Sequence, residues 1–254
     1  MFNFIFKKRE RLNLPYKREI HCHIIPGVDD GSRKLESSLS YLKSLSELGV
    51  EEVIFTPHRI DDRFENTPAI IDPIFNNLQE AVTREGVNLK LNYSFEYRLD
   101  TGFLTLLSKG KWGEESCALR PLRGRYLLIE NSFAHPVQEM DELIFHLQDC
   151  GFYPILAHPE RYRYYAGHNG RFYHHLQDQQ LEFQCNILSF TGYYGSETKK
   201  VVYWMLENGY INYLGSDLHN EQHVQLIKKF LQSKEYASLR PRLVEMIGND
   251  QMEE

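Results

Sequence analysis

Cysteine is scarce in this chain: Cys22, Cys117, Cys150 and Cys185 are the only four in 254 residues, and no two form a C-x-x-C pair. That spacing excludes a disulfide framework and suits reduced thiols, so a cytoplasmic protein is expected. Long apolar runs are missing too, since no segment approaches the roughly 20 residues that span a bilayer. The run Met1–Phe6 is apolar but short, and its basic residues (Lys7, Lys8, Arg9, Arg11) follow rather than precede it, so it does not read as a secretory signal. Phe2, Phe4 and Phe6 read as a packed or frayed terminus in preference to a membrane or subunit contact. Positive charge is not concentrated anywhere: the formal net charge is −6 and no basic stripe interrupts it. Contact with a phosphate backbone needs clustered Lys and Arg, which excludes nucleic acid as a partner. Internal repeats, low-complexity tracts and Pro/Gly/Ser linkers are also lacking. Since a βα barrel needs about 250 residues, one domain over 19–254 is expected, preceded by an N-terminal extension over 1–18.

What the sequence does contain is a regular alternation. Short apolar runs over Glu19–Ile24, Val50–Thr56, Asn88–Tyr97, Arg125–Glu130, Phe152–His158, Ile187–Phe190 and Tyr210–Ser216 read as buried parallel strands. Amphipathic stretches fall between them. Leu35, Leu39, Leu42, Leu45 and Leu48 form one stripe closed by Gly49, and Ile70, Ile74, Leu78 and Val82 form another that starts at Thr67-Pro68, with Pro73 predicting a kink or a delayed start. Pro136–Cys150 and Ser196–Asn208 are further helices, each followed by glycine, and one or two more fill the tail from Val224. Lys109–Gly124 is a loop. Seven strands alternating with helices predict an α/β protein with a parallel sheet, either open or closed into a barrel.

The chemistry collects at the strand ends. His21 and His23 lie two apart on the first strand and so share a side of it. Asp30 follows in a loop, His58 ends the second strand, Glu96 the third, Glu130 the fourth and His158 the fifth, while Asp217 and His219 end the seventh. In a parallel barrel all of these converge on the C-terminal rim, where such barrels place their chemistry. Each alone is unremarkable, because an isolated H-x-H is more often a surface or core pair and single carboxylates are ordinary surface residues. Together, five histidines and four carboxylates cannot be buried without cations, and mixed imidazole and carboxylate donors suit zinc, manganese or iron. His146, His168, His174, His175 and His223 read as structural or solvent-exposed, with His135 a candidate for supporting the ligands.

The motifs His21-Cys22-His23, Asp29-Asp30-Gly31, Thr56-Pro57-His58-Arg59, Ala157-His158-Pro159-Glu160-Arg161-Tyr162 and Gly215-Ser216-Asp217-Leu218-His219-Asn220 resemble the PHP (polymerase and histidinol phosphatase) superfamily. Within it they resemble the bacterial manganese-dependent protein-tyrosine phosphatases of capsule and exopolysaccharide synthesis. The resemblance implies a distorted seven-stranded (β/α) barrel, TIM-barrel-like, with three divalent metal ions, manganese first and iron or zinc as substitutes. His21, His23, Glu96 and Asp217 would hold one; Glu96 would bridge to a second completed by Glu130 and His158; Asp30, His58 and His219 would hold the third. The implied substrate is a phosphotyrosine protein, such as the tyrosine-rich tail of a bacterial tyrosine kinase, and a homo-oligomer is compatible with the resemblance. Two departures stand out: the long segment before the first strand, and His219-Asn220-Glu221-Gln222-His223 where relatives often carry an arginine.

Arg161, just past the fifth strand, is the first choice for a phosphate clamp because a guanidinium binds two oxygens at once, and Arg59 is the second. Tyr162, Tyr164 and Tyr165 are weighed as walls for a phosphotyrosine ring, with stacking in the outer layer the preferred reading. Cys117 and Arg123 satisfy C-x5-R, the signature of thiol-based phosphatases, but Pro121 removes an N–H and the segment precedes a strand, so chance explains it better. The alternatives are a small-molecule phosphatase of the same superfamily, a non-catalytic metal-binding module and a proofreading exonuclease.

Overall fold

A computed structural model describes residues 13–166 and 170–253. The expectations for Phe2, Phe4, Phe6 and His168 lie outside the described residues. Among the described residues nine short strands are interspersed with helices: β1 (Arg18–Glu19), β2 (Glu52–Phe55), β3 (His58–Arg59), β4 (Lys90–Tyr93), β5 (Glu96–Arg98), β6 (Tyr126–Glu130), β7 (Tyr153–Ala157), β8 (Glu182–Asn186) and β9 (Tyr213–Gly215). They run in the orders β1-β2-β4 and β3-β5-β6-β7-β8-β9, and every pairing is parallel. The chain is therefore α/β, with a parallel sheet that curls.

The curl brings the two ends of the sheet together. Past β1, Cys22 bridges Leu218 in parallel, with His23 N–H donating to Leu218 O at 2.9 Å and Asp217 N–H to His21 O at 2.8 Å. The buried carboxylate of Glu19 clasps this seam: its Oε1 accepts from the backbone N–H groups of Ile20 (3.1 Å), His21 (3.0 Å) and Ser216 (3.1 Å), and its Oε2 from the Tyr16 hydroxyl (2.8 Å). Burial raises the Glu19 pKa against the pull of these donors.

Helices cover the outer face. In α1 (Leu35–Glu47) the buried residues are Ser38, Tyr41, Leu42 and Leu45, and Gly49 turns the chain with a φ of 93°, a conformation that only glycine adopts readily. The stripe of α2 (Pro68–Arg84) is rotated from expectation: Ile71, Phe75, Leu78, Ala81 and Val82 are buried, while Ile70 is 47% exposed. Pro73 sits inside this helix and does not end it. After α3 (Thr101–Leu107), α4 (Met140–Asp149) starts later than Pro136, and α5 (Arg171–Asp178) precedes β8. The run Ile187–Phe190 is not a strand. It lies in α6 (Ile187–Thr191), and the strand before it is β8, five residues earlier in its start than the apolar run suggested. A short apolar run fits a buried helix as well as a buried strand. The chain finishes with α7 (Ser196–Asn208), α8 (Glu221–Leu231) and α9 (Lys234–Met246).

The larger apolar core lies between sheet and helices, and a smaller cluster of Ile20, Ile54, Leu128, Ile155 and Ala157 is separate from it. Ile54 and His58 are an even number of residues apart, as are Leu128 and Glu130, so each pair shares the inner face of its strand. The apolar cluster thus floors the mouth in which the ionisable residues gather.

Candidate metal centre

The nine expected ligands meet in one place. Two carboxylates gather around a pair of imidazoles: His21 Nε2 and His23 Nε2 stand 3.2 Å apart. Glu96 Oε2 is 3.4 Å from the first and 3.3 Å from the second, and Asp217 Oδ1 is 3.5 Å from both. Donor atoms that each lie 2.0–2.2 Å from a shared ion are themselves separated by about 3–3.6 Å. Beside this set, Asp30 Oδ1 is 3.5 Å from His58 Nε2 and 3.6 Å from His219 Nε2. His58 Nδ1 faces Glu96 Oε2 (3.0 Å) and Glu130 Oε1 (3.2 Å), and His158 Nε2 meets the other Glu96 oxygen at 2.8 Å. Glu96 therefore joins the groups, and His58 stands between two of them.

Hydrogen bonding does not satisfy this cluster. His58 Nδ1, Glu96 Oε2, Glu130 Oε2 and His158 Nδ1 are buried without a hydrogen-bond partner, and two imidazole Nε2 atoms aimed at each other repel unless a proton or a cation intervenes. In the protein alone protons take that place. Burial disfavours a charged His21, yet Glu96 and Asp217 push its pKa up to about 9. Burial likewise opposes charge on His58, and Glu96 and Glu130 overcome it. Glu96 and Asp217 are held far below the ordinary carboxylate range despite burial, the first by His21, His58 and His158, the second by His21, His219 and Arg161. A divalent cation would supply the same positive charge through direct bonds, so the donor set fits one.

Residues behind the ligands fix which ring nitrogen faces inward. His23 Nδ1 donates to Asp29 Oδ2 at 2.8 Å. The same carboxylate accepts from the backbone N–H of His58 (3.1 Å) and, through Oδ1, of Gly31 (3.1 Å). His21 Nδ1 donates to Gln184 Oε1 at 2.6 Å, and Gln184 Nε2 is anchored on Cys185 O and Asn186 Oδ1. Both bonds leave Nε2 free to act as a donor atom. Asp217 Oδ2 is occupied by Arg161 Nη1 (2.8 Å), Asn186 Nδ2 (2.7 Å) and the Tyr194 hydroxyl (3.1 Å), so only Oδ1 turns toward the histidines. Asp217 and His158 reach these positions with φ of 48° and 38°, left-handed values that turn the chain sharply at the strand ends. Gly31 and Gly215 make room: a Cβ on Gly31 would fall 1.8 Å from His23 O, and one on Gly215 would fall 2.6 Å from His21 Cβ.

A cavity of about 310 Å³ opens over the cluster, lined by Arg161, His223, Phe133, Tyr193 and Tyr194 besides the ionisable residues. Arg161 faces it, held between contacts to the Phe133 ring (4.7 Å) and the Tyr194 ring (4.1 Å). Arg59 does not. As the neighbour of inward-facing His58 it points away, its guanidinium resting on Phe95 and Tyr97 beside a separate cavity of about 360 Å³. Tyr162 and Tyr165 are buried, holding Asn131 through their hydroxyls, and Tyr164 stacks on Tyr162, so the outer-layer reading of these tyrosines holds. His135 is exposed and makes its contact with Pro136 O, away from the ligands. His223, read as structural or solvent-exposed, is the former: it is buried against Asp217 O, and burial with His219 nearby lowers its pKa to about 4. Arg98, not singled out in the sequence, donates to Glu130 Oε1 at 3.2 Å. The Cys117–Arg123 segment forms no phosphate loop: Cys117 Sγ approaches Leu119 O, and Arg123 pairs with Glu52 at the far end of the strands.

Comparisons with known proteins converge on one family. A family model described as capsular polysaccharide synthesis, CpsB/CapC, matches residues 18–234. The tyrosine-protein phosphatase YwqE of Bacillus subtilis is 28% identical over 236 residues, covering 89% of this chain and 87% of its own. The tyrosine-protein phosphatase CpsB of Streptococcus pneumoniae is 28% identical over 207 residues, covering 80% and 82%. A solved structure from work on those two proteins, described there as unique metal-dependent tyrosine phosphatases, superposes with a TM-score of 0.73 at 26% identity, covering 91% of this chain and 94% of its own. An amidohydrolase from Mycoplasma synoviae, at 10% identity and a TM-score of 0.54 over 96% and 91% of the two chains, shares the fold alone.

Proposed function

The chain belongs to the CpsB/CapC capsular polysaccharide synthesis family, and from that membership we propose that it is a metal-dependent phosphatase that removes phosphate from protein tyrosine. The observation that carries this reading is the pair of His21 Nε2 and His23 Nε2, 3.2 Å apart, with Glu96 Oε2 at 3.3–3.4 Å and Asp217 Oδ1 at 3.5 Å from each. We assign these four to one cation, Glu96 with Glu130 and His158 to a second, and Asp30, His58 and His219 to a third, with manganese the first choice and iron or zinc able to replace it. The nine strand segments are read as seven staves of a distorted PHP-type (β/α) barrel spanning 19–254. In support, Ser94 N–H donates to Phe55 O (2.8 Å) and Glu96 N–H to Pro57 O (3.2 Å), carrying the ladder across both interruptions.

When bound, the cations supply Lewis acidity, activating water near neutral pH and offsetting charge on phosphoryl oxygens. The protein's part is positioning. Asp29 and Gln184 hold the His23 and His21 rings in the tautomer that presents Nε2. Arg161 spends one N–H on Asp217 and keeps the rest of its fork for phosphoryl oxygens facing the cavity, where charge grows in the transition state. A tyrosyl oxygen leaves with a pKa of about 10, far below that of an alkyl alcohol, so departure needs little help from an acid. That agrees with a His223 kept uncharged at neutral pH.

The tyrosine-rich tail of a bacterial tyrosine kinase is the proposed protein substrate, and a homo-oligomer the proposed assembly. Four free cysteines support a cytoplasmic site of action. No helix among the described residues is long and apolar enough to cross a membrane. The test is turnover of a phosphotyrosine peptide against histidinol phosphate: the peptide is preferred, manganese stimulates, EDTA abolishes activity and iodoacetamide leaves it intact. Loss on thiol alkylation with no effect of EDTA would refute the assignment.

A further inference from the structure

The cavity over the metal centre is lopsided. Most of its wall is ionisable, but one arc is aromatic: Phe133 in the loop after β6, then Tyr194 and Tyr193 in the loop after α6. The arc is continuous. Phe133 stacks on the His158 ring (centroids 5.7 Å, planes 18° apart), the Arg161 guanidinium lies against both Phe133 and Tyr194, Tyr193 meets Tyr194 at 5.0 Å, and Tyr193 meets His223 edge-on at 4.8 Å. Two of the three are left open to solvent, Phe133 at 46% and Tyr193 at 38% of their surface. The tyrosines first weighed for this task, at 162 and 165, are closed into the core and cannot serve. Tyr194 is already committed through its hydroxyl to Asp217, whereas Phe133 and Tyr193 each keep part of the ring open to solvent.

We propose that Phe133 and Tyr193 form the subsite for the aromatic ring of the substrate and so set the preference for aryl over alkyl phosphate monoesters. This rests on the phosphatase reading given above. With the phosphoryl group beside Arg161 and the clustered imidazoles, the bridging oxygen leads out past this arc. An aryl group there covers exposed ring faces in offset or edge-on geometry, while a serine or threonine methylene leaves them wet. Each aromatic pair adds a modest, geometry-dependent stabilisation beyond simple burial, so the preference resides in binding the ring and not in the phosphate contacts.

The experiment compares Phe133→Ala and Tyr193→Ala with the wild type, all metal-loaded, using a phosphotyrosine peptide, the matching phosphoserine peptide and inorganic phosphate as a competitive inhibitor. Each variant is expected to raise KM for the phosphotyrosine peptide roughly five- to tenfold. In Tyr193→Ala the inhibition constant for inorganic phosphate stays where it was while the preference over the phosphoserine peptide shrinks, and Tyr193→Phe, which keeps the ring, restores both. A parallel loss of phosphate inhibition would mean that the rings only prop His158 and Arg161, and unchanged KM in both variants would mean that they touch no substrate. Either result overturns the subsite. Failure of the wild type itself to turn over any aryl phosphate is a different outcome, and it removes the phosphatase reading along with the subsite.

Discussion

Asp29→Asn is a stringent probe of the metal centre because it changes charge and hydrogen-bonding capacity while keeping shape. The wild-type carboxylate is fully enclosed and accepts from three donors: His23 Nδ1 at 2.8 Å, His58 N at 3.1 Å and Gly31 N at 3.1 Å. Burial opposes its charge, and His23 nevertheless holds its carboxyl below the usual range. An asparagine has one accepting oxygen and one donating amide. If the amide faces Gly31, two donors collide and the Asp30 loop loosens. If it faces His23, the ring must accept at Nδ1 and carry its proton on Nε2, the atom turned toward Glu96 and Asp217. A protonated Nε2 has no lone pair for a cation. Loss of a hydrogen bond to a charged group costs about 1.5–3 kcal/mol, and removing such a supporting partner weakens metal affinity roughly 10- to 100-fold. Competition against a chromogenic chelator at neutral pH reads this directly, with circular dichroism to verify the fold. A folded Asp29→Asn protein with wild-type metal affinity would refute the argument, since His23 would then need no fixed tautomer.

Further outcomes follow from the same geometry. In chelated protein, the His21 pKa stands near 9 against an ordinary 6.5, so its contribution to stability is complete below pH 6.5 and is lost as pH rises through 9. Urea midpoints of metal-free protein should fall over that window, and a rise would contradict the assignment. The depressed Glu96 and Asp217 act in the opposite sense, contributing above the ordinary carboxylate range and losing that contribution on acidification. Arg161→Ala should lower kcat by about 100- to 1,000-fold, the usual loss for a donor to a developing oxyanion, whereas Arg59→Ala, whose side chain rests on Phe95 and Tyr97, should stay within about twofold; equal losses would return Arg59 to the site. Gly215→Ala places a Cβ 2.6 Å from His21 Cβ and 2.8 Å from Gln184 Nε2, so about 1–3 kcal/mol of stability should go with the displaced ring, measured by thermal unfolding together with metal content.

The sequence made the proposed ligands legible because strand ends and motif spacings carry them, whereas the residues that hold those side chains in place left little trace. Strand β8 shows why. Its members Gln184 and Asn186 point into the mouth to support His21 and Asp217, so the segment Glu182–Asn186 lacks the apolar run that marks a buried strand, and the neighbouring Ile187–Phe190, a buried helix, supplies one instead. The rotated face of α2 has a similar origin: isoleucine recurs at both Ile70 and Ile71, and packing against the sheet selects the second along with Phe75. Arg59 was indistinguishable from Arg161 by chemistry alone. Strand alternation separates them, since His58 must face inward. The aromatic arc was invisible because Phe133, Tyr193 and Tyr194 lie in loops with no periodicity to place them.

The seam at which Cys22 meets Leu218 also dictates when the protein can acquire its ions. His21 and His23 precede their facing carboxylate on Asp217 by roughly two hundred residues, and contacts of such span form late in folding. A chain that stops short of Gly215 would carry four of the five motifs and still lack Asp217 and His219. Ion capture as proposed would thus work as a completion check, since a cation held by His21, His23 and Asp217 would draw together the same two strands that the Glu19 carboxylate clasps.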